Sequence, residues 1–93
     1  MSPRDRAAAF LSAECDGSTP VIDLHCTESI PEALERMERG LYQQAGNHSR
    51  YCKIVHGIGN GGLSTAIHHV LDFHPLIQAY QEQENGGACY VLL

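Results

Sequence analysis

Two short segments hold the side chains that could do chemistry. In Ile22-Asp23-Leu24-His25-Cys26 a carboxylate stands two residues before an imidazole, and His56 opens the run HGIGNGG (56–62), which has four glycines in seven residues. A carboxylate beside an imidazole fixes its tautomer and strengthens its hold on a proton, which suits a general acid or base near neutral pH. Glycines let backbone N–H groups approach an anion closely, and a helix starting at such a loop adds the positive end of its dipole. Asp23, His25 and His56 are therefore candidate acid–base residues. Gly57, Gly59, Asn60, Gly61 and Gly62 are candidate phosphate contacts, and the combination points to phosphodiester chemistry. Plainer readings stay open: an Asp that caps a strand end with a hydrogen-bonded His, and a glycine loop that is only a tight turn. The loop is not a P-loop, since G-x-x-x-x-G-K-[ST] is absent.

For these residues to meet, two strands must end side by side. Val21–Cys26 is short and densely apolar around Asp23, which predicts a buried strand. Ser29 with Glu32 three residues on is a capping-box pattern, and Pro31 falls in the first turn, where a missing N–H costs little. Ile30, Leu34, Met37 and Leu41 recur as one apolar stripe, so a helix should run from about 30 to 45 and stop at Gly46-Asn47. Its Glu32, Glu35, Glu38, Arg36 and Arg39 read as a solvated face. Tyr51–His56 is a second strand. Leu63, Ile67, Val70 and Leu71 stripe a second helix that ends before Pro75. Leu76–Gln81 is a third strand, Asn85-Gly86-Gly87 a tight turn, and Ala88–Leu93 a last strand.

The order βαβαββ predicts an α/β two-layer sandwich with both helices on one side of a four-stranded mixed sheet. Parallel neighbours open their carboxyl ends at one sheet edge, where ligands of such folds bind. Alternation puts Asp23 and His25 on one face and Leu24 on the other. The sequence thus aims a carboxylate and two imidazoles, His25 and His56, at a shared spot. Residues 1–19 are an appendage containing a short helix over Arg4–Ala13, either frayed or docked through Phe10 and Leu11. Residues 20–93 form the domain.

Composition narrows the function classes. Eleven acidic and six basic side chains give a net charge of −5, which argues against a sequence-independent DNA coat. Six histidines move that balance toward neutral below pH ~6. The four cysteines, Cys15, Cys26, Cys52 and Cys89, form no C-x-x-C pair, so no zinc ribbon or thioredoxin motif is present. The N-terminal segment lacks the apolar core of a secretory signal, and no run of about 18 apolar residues exists. A reduced, cytoplasmic setting without membrane partners is the expectation.

Taken in order, these motifs resemble the Smr (small MutS-related) domain family. The matching residues are Ile22-Asp23-Leu24-His25, Glu32-Ala33, His56-Gly57-Ile58-Gly59, Leu63, His74-Pro75 and Gly86-Gly87-Ala88-Cys89-Tyr90-Val91-Leu92, covering Val21 to Leu93. The resemblance implies a fold like the C-terminal domain of bacterial translation initiation factor three. It also implies nicking of DNA or cleavage of RNA, with the function carried by the D-x-H and H-G-x-G motifs, here Asp23, His25, His56, Gly57 and Gly59. The alternative is a non-catalytic Smr module that binds nucleic acid or a protein partner.

Three positions depart from the family pattern. Cys26 replaces the glycine after D-L-H, Ile58 replaces the basic residue of H-G-K-G, and Ser64 replaces the Arg after the helix-start Leu. Two cationic phosphate contacts are thereby lost, so weak nucleic-acid affinity is expected. Cys26 is readable as a small residue in a glycine's place, a nucleophile, or a soft metal ligand with His25 and His56. His68 and His69 are readable as helix-surface residues or as cations in acid. His68 and Asp72, at i and i+4, are two metal donors without a full set. A divalent metal, Mg²⁺ or Mn²⁺, is open as a cofactor, although no complete ligand set is written in the sequence.

Overall fold

The computed structural model describes residues 2–25, 27–57, 62–84 and 86–93. Its elements are α1 (Pro3–Cys15), β1 (Val21–Asp23), α2 (Ile30–Gly46), β2 (Tyr51–Val55), α3 (Gly62–Asp72), β3 (Ala79–Glu82) and β4 (Ala88–Leu92). The four strands form one mixed sheet in the order β1-β2-β4-β3. β1 runs parallel to β2, whereas β4 is antiparallel to both β2 and β3. This is the expected βαβαββ arrangement. None of its described helices is long and apolar enough to cross a membrane.

The core lies between the sheet and the helix pair α2 and α3. Ala33, Met37 and Leu41 of α2 and Ile67 and Leu71 of α3 pack on Ile22, Leu24, Cys52, Ile54, Cys89 and Val91. The apolar stripes therefore bury the faces that their spacing predicted. Ser29 caps α2 by accepting from the Glu32 N–H at 3.2 Å. The Glu32 carboxylate reaches back to the Glu28 N–H at 3.3 Å, one residue earlier than a standard capping box. On α2, Gly40 is where β1 docks, because a Cβ there would lie 2.8 Å from the end of the Ile22 side chain.

α1 closes the opposite face of the sheet. Phe10 and Ala13 pack on Tyr90 and Leu92, while Leu11 stays 61% exposed. Of the two apolar residues expected to dock, only Phe10 does so. The following loop is tied down by the Tyr51 hydroxyl, which donates to Asp16 Oδ2 at 2.8 Å, and by Thr19, which donates to the Ala13 carbonyl at 2.7 Å. The sheet thus has helices on both faces, and β4 is buried at all five positions. A strand covered on both sides needs an unbroken apolar run, and ACYVL supplies one.

Strand boundaries differ from the sequence reading, with β1 ending at Asp23 and β2 at Val55, whereas α2 ends at Gly46 as expected. β3 starts at Ala79 rather than Leu76, because the turn after α3 extends further. There the Leu76 N–H donates to His74 Nδ1 at 3.1 Å and the Ile77 N–H to the His74 carbonyl at 3.3 Å. α2 ends in a Schellman arrangement in which Ser49 N–H bonds the Gln44 carbonyl and His48 N–H the Ala45 carbonyl. The left-handed residue is His48 (φ 59°), not a glycine. Relieving its Cβ strain in His48→Gly should stabilise the fold by about 0.5–1 kcal/mol. Thermal unfolding should show a rise of a few degrees, and an unchanged or lower midpoint would contradict this account.

Candidate functional site

β1 and β2 end together as their parallel pairing requires, with Asp23 opposite Val55. Asp23 and His25 form a close pair at this edge. Asp23 Oδ1 accepts from the His25 backbone N–H at 3.1 Å and from the His25 Nδ1–H. The two side chains are 50% and 55% exposed, so the pair faces solvent. Donation from Nδ1 puts the lone pair of the neutral ring on Nε2, the nitrogen that can take a proton. Beneath the pair runs Gly57, where an added Cβ would sit 3.6 Å from His25 Cβ. Gly57 is left-handed (φ 78°), so the chain turns sharply at this point.

The bond to the His25 ring holds the Asp23 carboxyl below the ordinary carboxylate range, with a smaller contribution from Arg36. A carboxyl whose folded pKa is depressed stabilises the fold above its unfolded pKa, and that gain is lost as pH falls through the folded value. Stability should therefore decline from about pH 4 downward, and Asp23→Asn should make that decline shallower. Both groups are half exposed, so the difference should be small. Thermal unfolding followed between about pH 2.5 and 6 would detect it, and parallel curves for the two proteins would remove this pair as a source.

The structure corrects the placement of His56. β1–β2 register pairs Ile22 with Ile54, so His56 continues the buried face of Cys52 and Ile54. Asp23 and His25 leave by the other face. The His56 side chain is fully buried, its Nδ1 lies 2.8 Å from the Gly57 carbonyl, and its Nε2 lies 3.0 Å from Glu82 Oε1. The strand ends meet, but the two imidazoles do not share a face.

The glycine loop is corrected in one respect. The N–H groups of His56 and Gly57 both donate to the Gly87 carbonyl, at 3.1 and 2.9 Å. The Gly57 amide is therefore committed to the fold rather than offered to an anion. Gly62 opens α3, whose first turn carries no acidic residue. Gly59, Asn60 and Gly61, together with Ile58 and Cys26, lie outside the described residues.

Two arginines read from sequence as solvated helix face belong to this edge. Arg36 and Arg39 line, with Asp23 and Gly40, a shallow groove of about 250 Å³ between α2 and β1. They are held by Glu32 (3.9 Å) and Glu35 (2.9 Å). Their i, i+3 spacing was visible in the sequence, but their side of the helix followed only from β1 docking at Gly40. His74 of the His-Pro pair is structural. It accepts the Leu76 N–H at Nδ1, and its buried Nε2 lies 2.7 Å from Glu38 Oε1 without hydrogen-bond geometry, beside α2.

Comparison with known proteins supports the fold and the family. The Smr domain model matches residues 22–93. Endonuclease MutS2 of Thermomicrobium roseum is 36% identical over 52 residues, which is 56% of this chain and 7% of that protein. The chain thus spans a small part of that curated relative's length. The Smr domain of Thermus thermophilus MutS2 superposes with a TM-score of 0.75 at 23% identity, covering 81% of this chain and 98% of that one. The SMR domain of NEDD4-binding protein 2 gives a TM-score of 0.63 at 24% identity, covering 84% and 88%. At these identities the two structures speak for the fold alone. The chain belongs to the Smr domain family.

Proposed function

We propose that this Smr domain acts on nucleic acid and cleaves its phosphodiester backbone, as a nicking endonuclease on DNA or an endoribonuclease on RNA. The observation that carries this reading is the solvent-facing Asp23–His25 pair at the carboxyl edge of β1. His25 Nε2 acts as base toward the attacking oxygen, or as acid toward the leaving one. Asp23 fixes the tautomer and stabilises the imidazolium that forms. Arg36 and Arg39 supply cationic charge near the strand end that lacks a basic residue at position 58. His56 supports the turn from below. The relationship to a protein named Endonuclease MutS2 agrees with this activity.

A second reading, a binding module without catalysis, is favoured by the net charge of −5 and by Ile58 and Ser64. One experiment separates the two. Purified protein is incubated with supercoiled plasmid and with single-stranded RNA, with and without Mg²⁺ or Mn²⁺, and binding is followed in parallel at two salt concentrations. Product formation supports cleavage. A salt-sensitive shift without product supports the binding module. Neither product nor shift would sink both.

A further inference from the structure

A second cluster of reactive side chains lies inside the domain, on the sheet face opposite the Asp23–His25 pair. His56 comes from the end of β2, Cys89 from β4 and His68 from α3, and one donor atom from each lies within 4.8 Å of the others. Glu82 of β3 stands directly opposite Cys89 in the strand register and touches both histidines of the group. Its carboxylate lies 3.0 Å from His56 Nε2 and 2.8 Å from His68 Nε2. Stacking on Tyr80, with ring centroids 5.2 Å apart, orients the His68 ring. Cys89 is fully buried.

The hydrogen bonding of this cluster leaves one position facing the Glu82 carboxylate to be filled. With the Nδ1–H of His56 donating to the Gly57 carbonyl, its Nε2 turns a lone pair toward a carboxylate oxygen, and two acceptors cannot face each other stably. His68 Nε2 is also buried and, although close to Glu82 Oε2, lacks hydrogen-bond geometry. Two ring nitrogens lie together beside a thiol, with a carboxylate against both. Either extra protons or a cation must occupy that position.

We propose that His56, His68 and Cys89, with Glu82 as the fourth donor, bind a single Zn²⁺ ion beneath the glycine turn. Two imidazoles, a thiolate and a carboxylate match the nitrogen, sulfur and oxygen ligands this ion takes in tetrahedral sites. Thiolate and carboxylate together neutralise its charge, so a neutral unit is buried. The backbone carbonyl of Gly57 already holds the His56 tautomer with Nε2 inward, the role that second-layer groups play around metal-bound histidines. Zinc bonds of about 2.0–2.3 Å place ligand atoms roughly 3.3–3.8 Å apart, so small side-chain shifts must bring the three donors, now within 4.8 Å of one another, to that spacing and lengthen the Glu82 contacts slightly. The Cys89 thiol gives its proton to solvent as the metal binds. This inference goes beyond the proposed nuclease and does not depend on it.

The test uses the whole chain, reduced and stripped with a chelator, titrated with Co²⁺ and then with Zn²⁺. One equivalent of Co²⁺ should produce visible bands of tetrahedral intensity and a thiolate charge-transfer band in the near ultraviolet, and Zn²⁺ should displace it. His68→Gln, at a partly exposed helix position, should weaken binding at least about tenfold while the fold, followed by circular dichroism, is retained. Cys89→Ser should remove the charge-transfer band, whereas Cys26→Ser and Cys15→Ser should keep it. Zn²⁺ should raise the unfolding temperature of the wild type but not of His68→Gln. Absence of the cobalt spectrum, unchanged affinity in His68→Gln, or loss of the band in Cys26→Ser would each overturn the proposal.

Discussion

His25→Ala should lower the cleavage rate by about 10²- to 10⁴-fold and leave the unfolding temperature nearly unchanged. The reasoning is local. The His25 side chain is more than half exposed, so its loss opens no cavity and the bond to Asp23 that it removes lies at the surface. In the proposed reaction its Nε2 is the group that moves a proton, and alanine moves none. Asp23→Asn should be milder. The amide can still accept from the His25 N–H and ring, but it no longer stabilises a positive imidazole. Single-turnover measurements on both variants, with substrate binding determined separately, distinguish lost chemistry from lost affinity. A His25→Ala protein that cleaves at the wild-type rate would remove His25 from the mechanism.

Leu24→Ala should have the opposite profile. Leu24 sits between the two exposed residues, yet its own side chain has 0% exposure and packs in the main core. Leu-to-Ala changes at such sites cost about 2–5 kcal/mol. That is a large part of the roughly 5–15 kcal/mol that holds a domain together. With about 4–8 °C per kcal/mol for a chain of this size, the midpoint should fall by roughly 8–40 °C. The backbone at this position has independent supports, since the Leu24 N–H donates to the Val55 carbonyl at 2.7 Å and Thr27 donates to the Leu24 carbonyl at 2.7 Å. Below its lowered midpoint the variant should retain cleavage within a few-fold. A small drop in midpoint, or activity lost in protein that is still folded, would show that Leu24 matters for a reason other than packing.

The contrast between these neighbours reflects what was legible in the sequence. The bond between Asp23 and His25 spans two residues, so spacing alone announces it. The stripes of α2 and α3 were legible for the same reason, as were the parallel start and the closing hairpin. The orientation of His56 was not, because it depends on register between β1 and β2. A slip of one residue would have turned His56 to the face of Asp23. Residue spacing says nothing about such a slip, and only the packing of Ile22 against Gly40 and of Ile54 in the core fixes it. The cluster of His56, His68, Glu82 and Cys89 was illegible for a related reason: its members come from four elements and share no spacing. The docking of α1 stayed open beside a frayed terminus because its stripe is weak, with only Phe10 and Ala13 buried.

The position of β4 has a consequence for how the domain can move. This strand is hydrogen-bonded along both edges, to β2 and to β3, and covered on both faces. β1, which carries Asp23, is an edge strand of three residues. Opening free energies within one domain range from near zero at thinly held margins to the full unfolding value at the centre. Breathing of the margin that carries the exposed pair can therefore occur without disturbing the strand that anchors the remainder. The polymer substrate of the proposed reaction would meet a border that can yield while the interior remains closed.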